Sequence, residues 1–118
     1  MSQQMGFAAE ESARKYLCKQ GLTWLESNYH CRLGEIDLIM RDKEYIVFVE
    51  VRARTSSAYG GGVQSITTSK RQKLIRTASL YLQVKKLYDK HPCRFDVLSL
   101  DGAEPEITWI KNAFGIDF

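Results

Sequence analysis

The chain has no apolar run approaching the roughly 18 residues that a membrane-crossing helix needs, which argues against a transmembrane protein. Its opening residues, Met1-Ser2-Gln3-Gln4-Met5-Gly6, lack the apolar stretch of a secretory signal, so a cytoplasmic location is expected. Cysteine is sparse. Cys18, Cys31 and Cys93 are odd in number and far apart, with no C-x-x-C pair, which speaks against a disulfide framework, a zinc site or dithiol redox chemistry. They read as reduced thiols. The two histidines, His30 and His91, stand without partners at ligand or catalytic spacing, so surface or packing roles are expected. No Ser/His/Asp or Cys/His arrangement can be assembled. Gly60-Gly61-Gly62 is not part of a Walker loop, because the G-x-x-x-x-G-K-[ST] spacing is missing.

What is present fits one compact unit. At 118 residues and 44% apolar content the chain can bury one core, no linker is visible, and residues 1–118 are expected to form a single domain. The formal charge of +3 is modest, but its distribution is uneven. Residues 68–90 carry Lys70, Arg71, Lys73, Arg76, Lys85, Lys86 and Lys90 against Asp89, with Arg52 and Arg54 shortly before. Such clustering is the footprint of a phosphate-binding surface, and a solvated helix face is the plainer alternative.

Hydrophobic spacing gives the element order. Phe7, Ala9, Ala13, Tyr16 and Leu17 recur at helical spacing between Gly6 and Gln20, and Gly21 supplies a stop. Residues 22–32 suit a first strand with an interruption at Ser27-Asn28. Residues 33–41 and 44–53 form a hairpin around an Asp42-Lys43 turn. A Gly/Ser-rich loop follows over 54–66, of the kind that touches ligand or simply connects. Thr67, Thr68 or Ser69 can cap a second helix, striped by Leu74, Ile75, Ala78, Tyr81 and Leu82 and expected to end near His91-Pro92. Strands over 94–100 and 107–110 complete the order α-β-β-β-α-β-β, an α/β mixed sheet with helices packed on it.

Two acids interrupt the apolar strands. Asp37 lies in Gly34-Glu35-Ile36-Asp37-Leu38-Ile39 and Glu50 in Val47-Phe48-Val49-Glu50-Val51-Arg52. Burying a bare charge costs several kcal/mol, so each needs compensation. With Arg41 opposite Glu44, Asp37 would face Phe48 and lie diagonal to Glu50, roughly 7–8 Å away. Alternation then puts Asp37, Glu50 and Arg52 on one face, and Ile36, Leu38, Met40, Val47, Val49 and Val51 on the other. The two readings are a divalent-metal site and an inward ion pair with Arg52 or Arg54, and the residues alone leave both open. Glu35 shares the parity of Asp37, although a strand start is more often exposed. Trp24, Trp109 and Phe95 are expected in the core, and Asp96 in a structural cap or salt bridge.

These segments resemble the bacterial YraN-like family of predicted endonucleases, related to archaeal Holliday-junction resolvases and the restriction-endonuclease-like superfamily. The resemblance rests on Gly6, Glu10-Glu11-Ser12-Ala13, Tyr16-Leu17, the segments around Asp37 and Glu50 through Arg54, Lys70, Tyr81-Leu82, Arg94-Phe95-Asp96-Val97 and Asn112-Ala113-Phe114. It implies a restriction-endonuclease-like fold in which Asp37 and Glu50, with the Val51 carbonyl and Glu10, hold Mg²⁺ or Mn²⁺ for phosphodiester hydrolysis. It also implies DNA as partner, whether duplex, branched or single-stranded, bound through Arg54, Lys70, Arg71 and Lys73, and a homodimer by analogy with the resolvases. Arg52 departs from the pattern, which has lysine there. Arginine stays charged and cannot be a general base, although it can clamp a phosphate bidentately. The alternative implied is a catalytically impaired nucleic-acid-binding module on the same fold.

Overall fold

The computed structural model describes residues 2–54, 67–87, 90–102 and 106–114, with the side chains of 2–7 and 54 left aside. The elements run α1 (Ser2–Lys19), β1 (Thr23–Cys31), β2 (Gly34–Asp42), β3 (Tyr45–Arg54), α2 (Thr68–Val84), β4 (Cys93–Asp101) and β5 (Glu106–Phe114). The expected order holds. The Gly/Ser-rich loop lies, beyond Arg54 and up to residue 66, outside the described residues. So do residues 103–105 of the expected last turn.

Helix α1 starts four residues before the expected Gly6 and stops where expected. Gly21 takes φ +103°, its N–H bonds to the Cys18 carbonyl, and the Leu22 N–H reaches back to Leu17. That paired reverse hydrogen bonding at a left-handed residue closes a helix C-terminus. The same device ends α2 earlier than expected: Lys86 adopts φ +60°, with Lys86 N–H on Gln83 and Leu87 N–H on Leu82. No glycine marks the spot, and the helix terminates at Val84 rather than near His91-Pro92. At its other end, Thr67 caps α2 by accepting the Lys70 N–H at 3.1 Å.

The five strands lie in sequence order across one sheet, antiparallel except for parallel β3 and β4. A parallel pair needs a crossover, and α2 supplies it. Helix α2 covers a face built from Ile39, Ile46, Phe48, Phe95, Val97 and Phe114; α1 covers the other, with Leu38, Met40, Val47, Val49, Leu98 and Leu100. The central strands β2, β3 and β4 therefore carry near-continuous apolar stretches because both of their faces are buried. Gly34 lets α2 approach β2: a Cβ there would stand 2.8 Å from Thr77 Oγ1.

The hairpin register corrects the sequence reading. The turn is Lys43-Glu44, with Asp42 opposite Tyr45 and Leu38 opposite Val49, not Arg41 opposite Glu44. Lys43 carries the left-handed φ of +57° that a tight hairpin turn demands. The displacement is an even number of residues, so the assignment of faces survives for most positions. Ile36 is the exception. It belongs to the α2-side cluster, while Leu38 and Met40 belong to the α1 side. Alternation fails around residue 37, where Asn28 on β1 adopts φ +53° and the β2–β3 pairing ends at Leu38 and Val49.

Of the aromatic residues expected inside, Phe95 is buried and Trp109 partly buried. Trp24 is not in the core. It is 45% exposed, lies beneath the Arg14 guanidinium at 5.5 Å, and donates its indole N–H to Ser27 Oγ.

Candidate functional site

The irregularity at residue 37 is where the acids meet. The β2–β3 pairing ends at Leu38 and Val49, one step short of Asp37 and Glu50, whose carboxyl groups lie within hydrogen-bonding reach of each other. The strands part there, and the Val51 N–H is accepted by Asp37 Oδ2 at 2.8 Å instead of by a β2 carbonyl. Glu10 arrives from α1, with its carboxyl in hydrogen-bonding contact with the Asn28 and Asp37 side chains. Its Oε1 is buried and has no hydrogen-bond partner among the described residues. Three carboxyl groups from α1, β2 and β3 thus converge at the C-terminal end of β3.

Their protonation reflects the crowding. Burial pushes Asp37 up to about 6, opposed by the Val51 N–H and reinforced by the charge of Glu10. Burial also pushes Glu50 up to about 7, reinforced by Asp37 and opposed by Arg52 and Lys70. Glu10 is raised as well, chiefly by burial, with the charges of Glu35 and Glu50 adding to it. Glu35 itself is exposed, as expected of a strand start. Carboxyl groups crowded together away from water need positive charge nearby to stay ionised.

Glu50 has some. Arg52 NH2 stands 3.2 Å and Lys70 Nζ 3.1 Å from its Oε2. The ion-pair alternative is therefore realised at Glu50, with Arg52 as one partner and Lys70 of α2 as the second. Asp37 differs: among the described residues no basic side chain pairs with it. Nor, among those residues, does any group of three or more His, Cys, Asp or Glu side chains form a ready-made metal cage.

The basic residues named from sequence separate. Lys70 faces the acids and Lys73 is exposed on α2. Arg71 turns the other way, its guanidinium 5.6 Å from the Phe114 ring and its Nε buried without an acceptor among the described residues. The Arg54 side chain lies outside the described set. Val51 meets Asp37 through its N–H. Asn28 was missed as a site residue; the signal was an Asn inside a strand, a residue type that tolerates the left-handed conformation and interrupts pairing.

The remaining candidates behave structurally. Asp96 is buried and takes hydrogen bonds from Arg94 Nε, Trp109 Nε1 and the Asn112 N–H. His91 Nδ1 lies 3.0 Å from the Glu44 carbonyl, and His30 is exposed. The three cysteines are free thiols. No helix among the described residues is long and apolar enough to cross a membrane.

The sequence profile of the uncharacterised protein family UPF0102 matches residues 9–100. The chain belongs to that family. That span contains Glu10, Asn28, Asp37, Glu50, Arg52 and Lys70, and so the whole acidic cluster with its cations. A UPF0102 protein of Legionella pneumophila is 54% identical over 114 residues, covering 97% of both chains. A UPF0102 protein of Stutzerimonas stutzeri is 47% identical over 115 residues, covering 96% of both. Another from Ectopseudomonas mendocina is 48% identical over 112 residues, covering 93% of both.

Proposed function

We propose that this UPF0102 chain is a divalent-metal-dependent endonuclease acting on DNA phosphodiester bonds, with branched or otherwise structured DNA among its substrates. The observation that carries the reading is the meeting of Asp37 and Glu50 from adjacent strands, both desolvated and both held toward the protonated form. Perturbed carboxyls grouped with basic side chains are a signature of chemistry more than of scaffolding. The donor set suits Mg²⁺ or Mn²⁺, since hard cations take carboxylate and carbonyl oxygens, and the orphaned Glu10 Oε1 is such an oxygen. Asp37 and Glu50 would hold the cation, with Glu10 and the Val51 carbonyl as further oxygens. A bound cation would supply Lewis-acid stabilisation of negative charge developing on the phosphoryl group.

The chain's own residues do the rest. The Val51 N–H fixes the orientation of the Asp37 carboxylate. Arg52, permanently charged and planar, can grip a phosphate bidentately and stabilise charge in the transition state, but cannot take a proton from water. Lys70 and Lys73 on α2 would provide phosphate contacts along the flank, whereas Arg71, turned onto Phe114, would have to leave that ring to join them. Incubating the protein with Mg²⁺ or Mn²⁺ and junction, flap, single-stranded and duplex substrates tests the reading. Cleavage should appear and fall at least about 100-fold in Asp37→Ala, as expected for loss of a group that organises the transition state. Equal cleavage by wild type and variant, or none by either, would sink it.

A second reading has its own observation. Glu50 Oε2 is already occupied by Arg52 and Lys70, an arrangement that offsets its charge without any metal. On that reading the chain is a nucleic-acid-binding module without catalysis. Binding that persists in EDTA, with strong salt dependence and no cleavage, would favour it.

A further inference from the structure

We infer that Lys70 is the resident counter-ion of Glu50: it occupies the acidic cluster until a divalent cation displaces it, and the released ammonium then binds a nucleic-acid phosphate. This deepens the metal-dependent reading and rests on it. Two cations share one oxygen, Glu50 Oε2, with Lys70 Nζ at 3.1 Å and Arg52 NH2 at 3.2 Å. They are not equally held. Arg52 sits two residues along the same strand, and its Nε and NH2 are buried, with Glu50 their ion-pair partner among the described residues. Withdrawing it means extracting a buried guanidinium. Lys70 has a 39% exposed side chain on a four-carbon stem, and its ammonium is compact and strongly hydrated once free.

The backbone of Lys70 is fixed while its tip can move. Its N–H is held by Thr67 Oγ1 in the cap of α2, so displacement swings the stem and leaves the helix in place. The first turn of α2 contains no acidic residue to recapture the ammonium. A lysine there, added to the exposed N–H groups and positive pole of the helix start, favours a phosphate. Exchange also improves the charge balance. Replacing one positive charge by two relieves the crowding of Glu10, Asp37 and Glu50 that a single ammonium leaves unrelieved.

The test is Mn²⁺ binding to the metal-free full chain by calorimetry, for wild type, Lys70→Met, Lys70→Arg, Asp37→Asn and the exposed α1 control Lys15→Met. Removing the competing ammonium should tighten Mn²⁺ binding about tenfold in Lys70→Met. Lys70→Arg should stay within about twofold of wild type, because it keeps the competing charge. Lys15→Met should match wild type, and Asp37→Asn should bind poorly. Wild type binding while Lys70→Met behaves like Lys15→Met overturns the exchange and leaves the metal site standing. Absence of binding in wild type and Lys70→Met alike, or undiminished binding by Asp37→Asn, overturns both. The phosphate half is read separately, from the salt dependence of duplex binding in Ca²⁺ and in EDTA. Lys70→Met should reduce the log–log slope by about one in Ca²⁺ and leave it unchanged in EDTA. An equal reduction in both buffers would refute the release step.

Discussion

Asp96 and Asp37 are both strand-borne acids in one sheet, yet their neighbours differ in kind. Asp96 receives donors from Arg94, Trp109 and Asn112 on three sides, and Arg94 is tied further to Asp42 at 3.0 Å. Asp37 receives one backbone N–H and is otherwise flanked by Glu10 and Glu50. A carboxylate ringed by donors is scaffold, since its charge is compensated and held still. One left among other acids stores an unfavourable interaction that a ligand can relieve, which is how sites for chemistry are recognised. Burial separates them too, Asp96 being fully buried and Asp37 only partly, but the kind of neighbour decides their roles.

The largest expected effect is at the satisfied acid. Asp96→Ala would leave Arg94, the Trp109 indole and the Asn112 N–H without their acceptor, and should cost about 3–5 kcal/mol in chemical denaturation. A loss below about 1 kcal/mol would erase the contrast. Next comes the contact that sets α2 over the acids. Gly34→Ala places a Cβ against Thr77 Oγ1 and should cost about 1–3 kcal/mol. It should weaken cleavage as well, because α2 carries Lys70 over Glu50, while Asp96 on the α1 side is undisturbed.

Asp37→Asn should act in the opposite direction. Asp37 and Glu50 bind protons more tightly folded than unfolded, so their contribution to stability is greatest at low pH. It declines as pH rises from about 4 toward 7, between the ordinary carboxylate range and the raised folded values. The amide keeps an acceptor for the Val51 N–H and removes the buried charge, so the variant should gain about 1–2 kcal/mol at pH 8 and nothing near pH 4. Denaturation curves at the two pH values read this directly, and destabilisation at pH 8 would place Asp37 with Asp96 as scaffold. The smallest effect serves as a control. Lys86→Gly relieves a left-handed residue at the α2 terminus and should add about 0.5–1 kcal/mol while leaving the pH dependence unchanged.

Much of this was legible because burial writes itself into apolar spacing. The order of elements and the common parity of Glu50 and Arg52 follow from helical and period-2 patterns, and an even slip of the hairpin left the faces of β3 intact, while alternation on β2 fails around Asp37. Local backbone choices were less legible. Lys43 and Lys86 occupy left-handed positions where sequence reasoning looks for glycine or asparagine, so the turn and the end of α2 were misplaced.

By itself the sequence determined that two acids would lie inside the sheet and that a basic helix would follow them, since strand alternation and helix spacing are properties of consecutive residues. Only tertiary structure decided which partners those acids have. The crossover brought Lys70 to Glu50, the break near Asn28 admitted Glu10 from the opposite layer, and β5 supplied Trp109 and Asn112 to Asp96. Compensation of a buried charge is a matter of distance in space, and packing sets that distance.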